Sequence, residues 1–295
     1  AVAPVHGDPV ANRFKTPRLR VLITERVNSQ TTSTSATNAY LFGSETSIFS
    51  ISGLQLRPLP VLATIGLGLL VVLPSGYVFV LLTKHSDVQS GMATPWLAMF
   101  ANHAVMLVFA LVLIAWFSGR DVSEYGLKWP KRRHYVLSAL LWGAAFGFLM
   151  TFVDYFPQIL RHTPPPDNLA LTPGSIGGWL FFQGIYVGPT EEIPFRGLLQ
   201  TFLMQRSSGR VRFWKYEMHV AGVILALLFA LAHLTSFWAE NFWLAFGQQI
   251  YAFALGILYA YWREQSGSLL APIIGHNMSD GVEYVLMFLM TWAWR

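Results

Sequence analysis

The 295-residue chain contains no cysteine. Disulfides, thiolate nucleophiles, iron–sulfur clusters and Cys-ligated zinc are therefore excluded. Charge is scarce too: 12% of residues are Asp, Glu, Lys or Arg, against 54% hydrophobic and 15% aromatic, the profile of a multi-span membrane protein and not of a soluble domain. The net charge of +5 does not point to nucleic acid, because the basic residues flank apolar runs and lack the clustered face or interleaved aromatics that such binding needs. No His-Glu-x-x-His sequence and no internal repeat is present, and no compact apolar run precedes a small-residue cleavage site, so no signal peptide is predicted.

What is present begins at Pro58. Apolar stretches follow one another at about 59–82, 95–118, 134–153, 176–203, 218–237, 242–262 and 268–290. Roughly 20 apolar residues cross a hydrocarbon core, so these predict an all-α, polytopic bundle of about seven transmembrane helices, or eight if the long fourth stretch breaks. A break is expected where Pro189 and Pro194 flank two glutamates, because each proline frees a backbone carbonyl. Residues 1–57 are polar, rich in Ser and Thr between Ser29 and Thr37, and read as a disordered tail. Residues 58–295 then form one transmembrane domain without a dividing linker. Basic residues fall on one side if the spans alternate: Arg13 to Arg57, Arg120, Lys128, Lys131, Arg132, Arg133, Arg196, the group from Arg206 to Lys215, and Arg263, against Lys84, Arg161 and Arg295 on the other. This bias predicts a cytoplasmic amino terminus.

Polar residues within the apolar stretches form three clusters. Glu192 and Arg196 are four residues apart, stack on one helix face and can neutralise each other. Glu191 points about 100° away and is expected to stay unpaired, the state of a general base. A charge at mid-membrane costs roughly 2.5–3.5 kcal/mol, so three together imply paired charges around a polar cavity. In the second cluster Phe229 and His233 share a face, and imidazole is suited to exchanging protons near neutral pH. In the third, His276 and Asp280 are four apart, with Asn277 about 100° away from His276 and Glu283 one turn on, the latter read as snorkelling towards an interface. His103, Gln248 and Gln249 stand alone and read as packing or cavity lining.

Taken in order, Glu191-Glu192 with Arg196, Phe229 with His233, and His276 with Asp280 resemble the Glu-Glu-x-x-x-Arg, Phe-x-x-x-His and His-x-x-x-Asn/Asp motifs of the CAAX prenyl endopeptidase type II family, the CAAX-protease and bacteriocin-processing membrane proteases. The match covers about residues 174–290. The resemblance implies a glutamate-type intramembrane endopeptidase without a cofactor, set in a bacterial inner membrane and acting on a lipid-modified or membrane-anchored peptide or protein. Glu191 and His233 would activate water, His276 with Asp280 would stabilise the oxyanion, and Glu192 with Arg196 would fix Glu191. An ionised Asp280 only accepts hydrogen bonds, so either it is protonated or it orients His276 while another group donates; Asn277 is the weaker alternative donor. Two further readings remain open at this stage. Two histidines and a glutamate match the ligand count of a catalytic zinc site, and the buried charges suit a non-catalytic immunity or scaffold protein or a transporter, the last disfavoured by the lack of repeated halves.

Overall fold

Long apolar runs, several opened by proline at the first turn and the first carrying an internal proline, Pro74, set the architecture. Pro58 and Pro95 begin α1 (Pro58–His85) and α2 (Pro95–Ser118), where a missing N–H costs no helix bond. The computed structural model describes residues 49–85, 95–119, 121–166, 169–239 and 242–295. In chain order, β1 (Phe49–Gln55), α1 and α2 lead through a short 3₁₀ turn, Val122–Tyr125, to α3 (His134–Asp154) and α4 (Phe156–Arg161). A helical stretch over 173–204 follows. Within it α5 (Pro173–Phe181), α6 (Val187–Glu192) and α7 (Gln200–Met204) are joined by π-helical turns at Phe182–Tyr186 and Ile193–Leu199. Next come β2 (Ser208–Phe213), β3 (Tyr216–His219), α8 (Val220–Ala232), α9 (Ser236–Ala239), α10 (Phe242–Ser266) and α11 (Leu270–Ala293).

Five helical segments among the described residues are long and apolar enough to cross a membrane: 58–83, 96–118, 134–154, 220–238 and 242–266. The expected count of seven is therefore not reached by length and composition. The 173–204 stretch is divided between α and π turns, and α11, although 24 residues long, carries His276, Asp280 and Glu283. These two segments carry the glutamate pair with Arg196 and the His276–Asp280 pair, and Glu192, Arg196 and His276 are buried inside the bundle. Arg196 and Glu192 are wholly buried, whereas Trp116, Leu141 and Leu62 on the outer helices are more than half exposed, the inversion expected where lipid replaces water.

Small residues bring α11 into the bundle. A Cβ on Gly143 or Gly147, one turn apart on α3, would come within 2.5 Å of the carbonyl oxygens of Gly275 and Ser279. Their absence lets the two backbones approach as in other membrane helix pairs with small residues every fourth position. On the opposite side Val71 of α1 and Ala110 and Ile114 of α2 pack with Leu198, Leu225 and Phe229. The site lies between these two packed layers.

The all-α expectation needs correction. β1, β2 and β3 form an antiparallel sheet in that order, with Ile51, Val211 and Met218 in one register column. Val211 and Met218 are buried. The period-two alternation of Arg210-Val211-Arg212-Phe213 is a strand signal that is overshadowed by the surrounding helical runs. β1 also takes residues 49–55 out of the stretch read as a tail; residues 1–48 lie outside the described residues.

Candidate active site

The two glutamates stand on α6 between the π turns; Pro189 lies in α6 after the first turn, and Pro194 lies within the second. Pro189 has no N–H for the carbonyl of Ile185, four residues back. Asn277 of α11 supplies one: its Nδ2 donates to Ile185 O at 3.1 Å, while its Oδ1 accepts the Gly188 N–H at 2.8 Å. A Cβ on Gly188 would lie 2.4 Å from Asn277 Oδ1, so only glycine admits this approach. Asn277, expected as a weaker oxyanion donor, is engaged as a latch on the α6 backbone. The break expected around Pro189 and Pro194 takes the form of π turns, which occur often at functional sites.

Glu192 and Arg196 pair as expected, at 2.9 Å and with neither side chain exposed. The guanidinium lies 4.2 Å from the centroid of the Phe229 ring and 5.3 Å from that of Tyr259, which gives the phenylalanine of the second motif a purpose: it faces the buried cation. The same Glu192 oxygen, Oε1, accepts from His276 Nδ1 at 2.9 Å. Glu192 thus fixes the ring of His276, which also stacks on Tyr259 at 5.3 Å between centroids.

Glu191 departs from the expectation that it is unpaired. Its Oε1 lies 3.0 Å from His103 Nε2, and its Oε2 lies 3.8 Å from His276 Nε2. His103 comes from α2, 88 residues away in sequence, and nothing near it in the chain signals this partnership. Only the convergence of α2 on α6 reveals it.

His233 ends α8, with its backbone already out of helical geometry. Nδ1 donates to the carbonyl of Phe229 at 2.8 Å, one of the acceptors a helix end leaves without a partner. Nε2 is then the acceptor nitrogen. The Phe229 ring lies 5.0 Å from the His233 ring and 6.1 Å from that of His276. A cavity of about 610 Å³ is bordered by Phe229, His233, Tyr259, His276 and Asp280. Glu191 adjoins it through His276. Asp280 Oδ2 is 3.4 Å from His276 Nε2, and its Oδ1 accepts from Ser279 Oγ at 3.0 Å. Asp280 thus stands between His276 and the Ser279 hydroxyl.

Of the isolated residues, Gln248 borders the cavity and Gln249 donates to His233 O at 3.0 Å. Glu283, expected to snorkel outward, borders the same cavity. Among the described residues no group of three or more His, Asp and Glu side chains has the arrangement of a metal site.

No curated protein and no solved structure matches the chain. Residues 173–282, which contain all three motifs and exclude His103, match the family model described as Type II CAAX prenyl endopeptidase Rce1-like, so the resemblance read from the motifs is borne out over that stretch.

Proposed function

We propose that the chain is an intramembrane endopeptidase of glutamate type, which hydrolyses a peptide bond in a lipid-modified protein, in the first instance one with a prenylated carboxyl-terminal tail. In this reading the 173–204 stretch and α11 are the sixth and seventh crossings, kept in the membrane by burying their charges against the five apolar ones. The amino terminus is cytoplasmic by the positive-inside bias.

Both nitrogens of His276 meet acceptors, Glu192 on Nδ1 and the carboxylates of Asp280 and Glu191 towards Nε2, so both carry protons. A water between Glu191 and His233 gives one proton to Glu191 Oε2 and points the other at His233 Nε2. Its oxygen bonds to the substrate carbonyl carbon, the carbonyl electron pair moves onto oxygen, and His276 Nε2–H donates to the oxyanion. Collapse breaks the C–N bond, and the amine departs with the proton that Glu191 had accepted. No cofactor enters this sequence.

The observation that carries the reading is the opposition of Glu191 Oε2 and His276 Nε2 across 3.8 Å. That is too long for a hydrogen bond, and it supports a reading in which Glu191 acts as base and His276 as donor on either side of one reacting group. The test is Glu191→Gln, reconstituted in vesicles and assayed with a quenched fluorescent peptide carrying a farnesylated CAAX tail. The expected loss of kcat is about 10²–10⁴-fold with the fold intact; turnover within about tenfold of wild type would remove Glu191 from the role of base. Cleavage of an unprenylated membrane-anchored peptide in place of the farnesylated one would change the substrate class and retain the chemistry.

A further inference from the structure

Outside the family-matched stretch, one side chain touches the proposed base directly. His103 of α2 is buried, with 6% of its side chain exposed. Its Nδ1 lies 2.9 Å from the carbonyl of Met99, one turn back on the same helix. A carbonyl only accepts, so Nδ1 carries a proton. The edge of Phe182 meets the imidazole at 89° with 5.0 Å between centroids, which holds the ring in that orientation. Nε2 is thereby aimed at Glu191 Oε1, 3.0 Å away.

A neutral imidazole with its proton on Nδ1 offers only a lone pair at Nε2, and an ionised carboxylate offers only lone pairs. Two acceptors at 3.0 Å repel. One further proton must therefore lie between His103 and Glu191, shared as imidazolium with carboxylate or as imidazole with carboxylic acid. The other groups that act on Glu191 are His276 of α11, at 3.8 Å from Oε2, and His233 of α8, within electrostatic reach; on its own helix Glu192 is already tied to Arg196. No Lys or Arg contacts Glu191 among the described residues. His103 is the nearest of the three imidazoles, and it holds the oxygen turned away from His276.

We propose that His103 is a positioning residue for Glu191: it fixes the carboxylate so that Oε2 faces His276, and it holds the proton that keeps Glu191 ionised and able to act as base. This rests on the reading of Glu191 given above, and it adds to the three motifs a fourth contributor from a helix that they do not include. The bond geometry decides which substitutions are informative. His103→Leu removes both the clamp and the charge. His103→Gln can still donate an amide N–H to Glu191 but never titrates.

The test uses the full chain in lipid vesicles and two measurements. Difference infrared spectroscopy follows the carboxylic-acid stretch of Glu191, identified as the band that Glu191→Gln abolishes, as pH is varied. The farnesylated peptide supplies kcat, KM and their pH profile. The expected result for His103→Leu is a Glu191 band that appears at higher pH than in wild type, an acid limb of kcat/KM displaced the same way, and a kcat lowered about ten- to hundredfold with KM little changed. His103→Gln should recover most of kcat and only part of the displacement. A Glu191 band titrating in wild-type fashion in both variants overturns the proposal, as does a kcat deficit that His103→Gln fails to relieve. If His103→Leu does not accumulate, the glutamine variant alone decides, through the displacement of its band. Failure of the underlying reading looks different: Glu191→Gln would itself retain turnover, whatever the His103 variants do.

Discussion

Arg196→Met separates a structural charge pair from the chemistry beside it. Arg196 and Glu192 are both fully buried, so removing the guanidinium leaves a carboxylate without its counter-ion in a low-dielectric interior. Breaking such a pair costs about 3–5 kcal/mol. Two features of the structure place the cost at the lower end. Glu192 keeps one partner, His276 Nδ1 at 2.9 Å, and methionine retains much of the packing against Phe229. The pair is also incompletely served: Glu192 Oε2 and Arg196 Nε and Nη2 are buried without a hydrogen-bond partner among the described residues. At about 3 kcal/mol, and about 2–4 °C per kcal/mol for a chain of this size, the midpoint of thermal unfolding in detergent should fall by about 6–12 °C. The double variant Glu192→Gln with Arg196→Met removes both charges and keeps an amide oxygen for His276, so it should regain at least half of that loss. A single variant that melts within about 2 °C of wild type, or a double variant no better than the single one, would refute the view that these charges stabilise each other in the interior.

Asn277→Ala removes the bonds to the backbone of Ile185 and Gly188 and should destabilise by about 1–2 kcal/mol; adding Pro189→Ala should recover part of this, because alanine at 189 brings back an N–H for Ile185 O, and a thermal melt of the single and double variants checks it. His219, at the start of α8, accepts the Ala221 N–H on Nδ1 and donates from Nε2 to Ser207 O, and burial holds its pKa below the usual histidine range. The unfolded chain therefore takes up the proton first, so stability is unaffected well above pH about 6.5 and declines as pH falls through that value. His219→Asn, a cap that does not titrate, should flatten the decline, and identical melting-against-pH curves for the two proteins would contradict this. Treatment with a zinc chelator should leave cleavage of the farnesylated peptide unchanged, since in the proposed mechanism Glu191 and His233 activate water without a metal; loss of turnover that returns on adding zinc would restore the metallopeptidase reading.

What the chain discloses in advance depends on the distance over which a physical rule acts. Glu192 with Arg196, Phe229 with His233, and His276 with Asp280 are each four apart, and the rise and turn of a helix convert that spacing into contact before any tertiary structure is known. The 2.9 Å ion pair, the 5.0 Å ring contact and the 3.4 Å His–Asp approach follow from it. The prolines at 189 and 194 likewise announce freed carbonyls, although not the π turns that absorb them or the Asn277 amide that serves one of them. Spacing carries nothing about His103. Its local environment is that of any histidine bonded to the carbonyl one turn back, and its meaning arises only where α2 crosses α6. The sheet is a second case, since β1 and β2 are separated by more than 150 residues and three apolar helices, so the alternation in Arg210 to Phe213 has no visible partner until the chain closes. The residue proposed to keep Glu191 ionised therefore lies in the part of the chain where motif reading has least to say, and substitutions on α2 that face α6 are where further determinants of this site should be sought.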